Sequence, residues 1–332
     1  MQSELIELSA KIRNGDRRAL ARGITLVEST HPDHREKADQ LIQSLLPYTG
    51  NAIRIGISGV PGVGKSTFIE AFGLHVTGKN RKVAVLAVDP TSPKSGGSIL
   101  GDKTRMEELS KSSDAFIRPS PSGGTLGGVA RRTREVLLLC EAAKFDVVLV
   151  ETVGVGQSET AVADLVDMFI LLLTPGGGDE LQGIKKGIVE LADLIVVNKA
   201  DGDLAPAADR AMRDYSAALH LLRPDSESWT PKVLKASALK ETGISEVWET
   251  TCTFRETQSE AGIMQRRREQ QANSWMWNEI NETLLSRLHA SKDVSSLILD
   301  LGEAVKRGET TPSSAARQIL SGFSAGTPKN FQ

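Results

Sequence analysis

The run Gly59-Val60-Pro61-Gly62-Val63-Gly64-Lys65-Ser66 lies between an apolar stretch, Ile53 to Ser58, and a segment from Thr67 that reads as a helix. It fits G-x-x-x-x-G-K-S, a pattern that constrains the fold because a strand must deliver the loop and a helix must leave it. Glycines let the backbone wrap a phosphate and aim N–H groups inward, while the helix turns the positive end of its dipole to the same charge. Lys65 is expected to reach β- and γ-phosphates, and the Ser66 hydroxyl to meet Mg²⁺, a hard cation that prefers oxygen ligands. Gly59 through Thr67 are thus the expected phosphate-binding residues.

Around this loop the chain alternates short β-rich runs with helical segments: Ile53 to Ser58, Val83 to Val88, Val147 to Val150, Met168 to Leu173, Leu194 to Val197 and Val233 to Lys235. Such alternation predicts an α/β fold, a mostly parallel sheet flanked by helices. Helical spacing of Leu5, Leu8, Ile12, Leu41 and Leu45 predicts an N-terminal helical extension over 1–48, ahead of a nucleotide-binding domain over 49–257. A helical arm and tail follow over 258–332. The arm begins with a polar helix from Ser259 to His289, and Thr311 is placed to cap a last helix with Pro312 at its first position. Trp275, Trp277, Ile280, Leu284, Leu285 and Leu288 give the arm an apolar side; periodicity leaves open whether it meets a second subunit or folds back on its own domain. Arg266-Arg267-Arg268 reads as a solvated charge run.

Three further acids and a base-reading motif surround the expected phosphate site. Val147 to Val150 ends in Glu151-Thr152-Val153-Gly154, where P-loop proteins place the acid that senses Mg²⁺ and the γ-phosphate. Glu stands where most GTPases have Asp, and its longer reach fits either a water-mediated metal contact or positioning of the attacking water. Asp89, after Val83 to Val88, and Asp102 lie on loops expected near the carboxyl ends of the strands, where open α/β sheets bind ligands. With Ser66 and Glu151 they form the candidate metal set. Asn198-Lys199-Ala200-Asp201 is N-K-x-D: the Asp201 carboxylate can accept from guanine N1–H and its exocyclic amine, donors that adenine lacks in that arrangement. Ser237-Ala238-Leu239 fits the S-A-x segment that backs the base. Guanine nucleotide, GTP or GDP, with Mg²⁺ is the expected ligand.

Composition narrows the partners. Forty Lys and Arg against forty-two Asp and Glu leave a net charge of -2, so no global positive field recruits nucleic acid or anionic lipid. No apolar run approaches the ~20 residues of a membrane helix. Met1-Gln2-Ser3-Glu4 carries an acid where a secretory signal needs cations, and two cysteines, Cys140 and Cys252, fit a reducing compartment; the chain reads as cytoplasmic, with both thiols expected buried.

Taken together, Gly56 to Thr67, Val88-Asp89-Pro90-Thr91-Ser92, Glu151 to Glu159 and Gly177 to Gly187 resemble the MeaB/ArgK family of P-loop GTPases, which includes the human protein defective in one form of methylmalonic aciduria. The resemblance covers nearly the whole chain, and Glu151 is the family's own form. It implies a homodimer joined through the C-terminal helices, and a GTPase chaperone that gates cofactor loading and protects or reactivates an adenosylcobalamin-dependent acyl-CoA mutase, usually methylmalonyl-CoA mutase. It also implies that Lys65, Asp89, Asp102 and Glu151 serve catalysis and that Gln182 and Lys185 belong to a third switch after Gly176-Gly177-Gly178. Two other classes compete: a nickel-type metal-insertion GTPase, disfavoured by scattered His and Cys, and a small-molecule kinase, disfavoured by the guanine-reading Asp201.

Overall fold

The structure is a computed structural model that describes residues 2–29, 31–88, 106–118, 126–152, 158–176, 186–222 and 228–325. Its strands are Ile53–Gly59 (β1), Val83–Val88 (β2), Ala115–Arg118 (β3), Val147–Thr152 (β4), Met168–Leu173 (β5), Leu194–Val197 (β6) and Lys232–Lys235 (β7). They form one sheet in the order β3-β2-β4-β1-β5-β6-β7, and the strand pairs are parallel. β1, β4, β5 and β6 are buried at every position, as strands covered on both faces must be. This explains why they appear in the sequence as largely apolar runs, continuous in β5 and β6. β3, Ala115-Phe116-Ile117-Arg118, is an addition to the expected strands: four residues are too few to show a period, and only pairing with β2 defines them.

The helices are α1 (Gln2–Arg13), α2 (Arg17–Glu28), α3 (Pro32–Leu45), α4 (Lys65–Thr77), α5 (Glu107–Lys111), α6 (Leu126–Ala142), α7 (Ser158–Ala163), α8 (Lys186–Leu191), α9 (Ala205–Leu222), α10 (Ile244–Glu260), α11 (Ile263–Ala290), α12 (Lys292–Lys306) and α13 (Pro312–Ala325). On one face of the sheet Phe68, Ile69, Phe72 and Val76 of α4 join Ile53, Ile55 and Ile57 of β1 in the main core. Trp248 of α10 closes over Phe72 with ring centres 6.0 Å apart. On the other face Gly56 lets Val162 and Val166 approach β1: a Cβ there would lie 3.0 Å from both side chains. The expected N-terminal helices form, with the Asp16 carboxylate capping α2 by accepting from the Arg18 and Ala19 N–H groups at 2.8 and 2.9 Å. Arg35 of α3 pairs with Glu135 of α6 at 2.7 Å.

Residues through Glu269 form one compact unit and residues from Gln270 onward a second. In the second unit α12 packs on α13, and Thr311 caps α13 as expected, its hydroxyl accepting from the Ser314 N–H at 3.2 Å. Met276, Trp277, Leu284 and Leu285 of α11 are half or more exposed. The helix expected to start at Ser259 instead breaks at Ala261-Gly262, between α10 and α11. Cys140 is buried, but Cys252 is partly exposed. Among the described residues no helix is long and apolar enough to cross a membrane.

Of the run Arg266-Arg267-Arg268, expected as a solvated face, Arg266 is exposed but Arg267 and Arg268 are tied to the domain. Arg268 donates to the Asp167 carboxylate at 2.7 and 2.6 Å and to the Gly50 and Ala52 carbonyls at 2.6 and 2.7 Å, while Arg267 reaches the Asp167 carbonyl at 2.8 Å. Charge counting along one helix misses this, because the partners come from the loops at the amino ends of β1 and β5. The Asp167 carboxylate is fully buried and also accepts from the Arg54 N–H at 2.8 Å. Arg54 in turn pairs with buried Glu141 at 2.8 Å. Removing one member of a buried pair leaves the other charge uncompensated, a loss of about 3–5 kcal/mol. Asp167→Ala should lower the unfolding free energy by about that amount in denaturant titrations, whereas a loss below about 1 kcal/mol would show an exposed, weak pair.

Candidate nucleotide site

The sheet order places β4 beside β1 and β6 one strand further on, beyond β5, and the parallel strands put all their carboxyl ends along one edge, where the loops leaving β1, β4 and β6 converge. β1 runs into Val60-Pro61-Gly62-Val63 and then α4, whose N-cap Gly64 adopts φ +93 and supplies no side-chain cap. The first-turn N–H groups of α4, which no helix satisfies internally, are thus left for an external acceptor. A Cβ at Gly64 would come within 2.9 Å of the Asn198 amide nitrogen, so glycine serves both the turn and the close approach of the β6 loop.

Lys65 is buried and folds back over its own loop, donating to the Gly59 carbonyl at 2.7 Å and the Val60 carbonyl at 3.4 Å. Burial holds its ammonium below the usual lysine range, and the carboxylates of Glu151 and Glu159 partly oppose that shift. A cation kept dry in this way gains most from a strong anionic acceptor, which fits a phosphate. The Ser66 hydroxyl donates to Glu151 Oε1 at 3.4 Å, so the end of β4 and the start of α4 bring together two kinds of oxygen ligand suited to Mg²⁺. Asp89, Asp102, Gln182 and Lys185 lie outside the described residues.

The residues expected to read the base meet the phosphate loop directly. Asn198 is buried; its amide donates to the Val63 carbonyl at 2.9 Å, and its oxygen accepts from the Ala238 N–H at 3.1 Å. Lys199, at φ +59, donates to the Gly62 carbonyl at 2.7 Å. The Ser237 hydroxyl donates to Asp201 Oδ1 at 2.5 Å and accepts from the Lys240 N–H at 3.1 Å, which fixes the carboxylate on the loop after β6. Leu239 is 75% exposed, so its side chain belongs to the rim.

Two contacts near this end of the sheet have no counterpart in the sequence analysis. Glu159 of α7 is buried and acts electrostatically on Lys65. Thr152 donates from its hydroxyl to that of Ser58 at 2.9 Å, inside the sheet. Neither carries a local signal, since each depends on a partner from another strand or helix.

Comparison with known proteins agrees with this geometry. The family described as methylmalonyl-CoA mutase-associated GTPase MeaB matches residues 20–293. A Caulobacter vibrioides protein named as a putative GTPase is 55% identical over 96% of this chain and 98% of its own length. The Escherichia coli GTPase ArgK is 49% identical over 96% of each chain. The mouse methylmalonic aciduria type A homolog, a mitochondrial protein, is 49% identical over 93% of this chain and 77% of its own. Among solved structures, one described as an LAO/AO transport system kinase superposes with a TM-score of 0.78 at 42% identity, covering 97% of this chain and 98% of that one.

Lys65→Met separates the phosphate contact from the scaffold. It should weaken guanine nucleotide binding by about 100-fold, the size of one or two lost charge-assisted hydrogen bonds. The melting temperature of the nucleotide-free protein should hold or rise, because a dry ammonium is removed. Calorimetric titration and thermal unfolding check both, and unchanged nucleotide affinity would move the phosphate site elsewhere.

Proposed function

The chain belongs to the MeaB family of P-loop GTPases and is a GTPase; from that premise we propose that its turnover times the loading and protection of an adenosylcobalamin-dependent acyl-CoA mutase, with methylmalonyl-CoA mutase as the client. The observation that carries the nucleotide half of this reading is the Asn198 bridge, which joins a phosphate-binding loop to a guanine-reading carboxylate in one hydrogen-bonded cleft. The client half rests on family membership and on the names of the relatives.

In this reading Gly59 through Thr67 hold the phosphates, Lys65 reaching the β- and γ-groups, and Asp201 accepts from the guanine edge with Ser237 holding its rotamer. Ser66 and Glu151, with Asp89 and Asp102, are the residues that would hold Mg²⁺. Bound there, the ion would neutralise charge on the phosphates. Glu151 orients water or metal at the γ-phosphate, and Gln182 and Lys185 supply the third switch. The second unit, with Trp277, Leu284 and Leu285 exposed on α11, serves as the homodimer surface, and the protein works in the cytoplasm. Residues 1–48, 49–257 and 258–332 then divide as helical extension, GTPase domain and dimerisation arm.

A timer of this kind turns over slowly alone and faster in its complex, since a charge or water-orienting group that arrives only on binding contributes on the order of 10³ to 10⁵ in rate. Lys185 is the candidate group. Phosphate release measured with and without the mutase should show acceleration in the wild type, and Lys185→Ala should abolish most of it while leaving intrinsic turnover and GTP affinity near wild type. Equal loss of both rates would make Lys185 part of the basal machinery, and undiminished acceleration would place the gate elsewhere.

A further inference from the structure

Glu151 is held from two sides of the sheet, and only one of them faces the cleft. The parallel register pairs Ile57 with Glu151, so these two side chains share the face covered by α4, where Ser66 lies 3.4 Å from the carboxylate. The next residues along, Ser58 and Thr152, therefore point to the opposite face, the one that α7 covers and where Gly56 admits Val162 and Val166. There the Thr152 hydroxyl donates to the Ser58 hydroxyl at 2.9 Å, with Ser58 1% exposed and Thr152 fully buried.

A pair of hydroxyls in so apolar a place is not the arrangement that stability selects. Replacing both partners of a buried hydrogen bond by apolar groups of the same shape is close to neutral, whereas leaving one partner alone is costly. Alanine and valine would fill these two positions without loss of packing. What the bond adds is direction and register: it ties the residue before the phosphate loop to the residue after Glu151, fixing the backbone next to the acid.

We propose that Ser58 and Thr152 are a positioning pair that sets how the Glu151 carboxylate meets a divalent cation bound with the nucleotide. The inference rests on the reading of Glu151 as a metal-facing acid. Both hydroxyls lie on the face of the sheet opposite to Ser66 and the Glu151 carboxylate, so they act through the main chain of β1 and β4. Partners that orient a ligating carboxylate typically govern 10- to 100-fold in metal affinity.

The test uses the full chain carrying Ser58→Ala with Thr152→Val, alongside Thr152→Ser and Glu151→Gln. Three quantities are read: the melting temperature without nucleotide, GDP affinity in EDTA, and the Mg²⁺ concentration giving half of the maximal gain in affinity for a fluorescent GTP analogue. The double variant should keep the first two near wild type while the Mg²⁺ midpoint rises by about 10-fold or more. Thr152→Ser, which keeps the hydroxyl, should hold the wild-type midpoint. An unchanged midpoint in the double variant, with Glu151→Gln impaired, overturns the positioning pair and leaves the reading of Glu151 standing. A midpoint that Glu151→Gln does not move overturns that reading and the pair with it. If Thr152→Ser is as impaired as the double variant, the methyl group and not the hydroxyl matters, and the proposal fails.

Discussion

The side chain of Asn198 spans the two halves of the proposed nucleotide site. Its amide donates to the Val63 carbonyl of the phosphate loop, and its oxygen accepts from the Ala238 N–H after β7. Each partner is a backbone group buried beside the cleft, where an unmatched donor or acceptor costs about 1–3 kcal/mol. The two loops are therefore set against one another before any nucleotide arrives. Lys199, crossing to the Gly62 carbonyl, repeats the tie from the next residue. Without these links the glycine loop would be free to adopt many shapes, and its N–H groups would not be gathered for one phosphate.

This arrangement at the carboxyl ends of the strands depends on a rigid opposite end. There Arg54 pairs with Glu141, and Arg268 with Asp167, in a region that excludes water. These pairs make no obvious contribution to nucleotide chemistry. They fix the amino ends of β1 and β5 and the start of α11 against the sheet, which determines where β1 delivers the phosphate loop. The two ends differ in kind: charges paired with one another hold the scaffold, and the cation held dry at Lys65 is the one proposed to meet the ligand.

Much of this was legible in the sequence, for identifiable reasons. β1, β4, β5 and β6 are buried on both faces, so most of their side chains are apolar and stood out as runs, with Arg54, Ser58, Glu151 and Thr152 as the polar exceptions. The glycine loop and N-K-x-D were readable because each is a local stretch whose spacing is fixed by backbone geometry. What escaped were features defined across strands. β3 exists through its pairing with β2, and Arg267 and Arg268 looked like surface charge because their partners lie far back in the chain, at Asp167, Gly50 and Ala52. The Ser58–Thr152 bond was hidden in the same way, since an isolated Ser and an isolated Thr in two apolar strands announce nothing. Glu159 appeared only within a family motif, with no sign that it sits near Lys65.

One buried amide, that of Asn198, joins the proposed phosphate loop to the proposed base-reading segment. Hydrogen exchange on Asn198→Ala tests it most directly, with amides followed in Val63 to Lys65 and in Ala238 to Lys240 of the nucleotide-free protein. If Asn198 couples the two loops, both stretches should exchange faster together, although they are far apart in the chain, while β1 and β5 keep their protection. Acceleration confined to one loop, or no change in either, would contradict the claim and show that each half of the cleft is held in place independently.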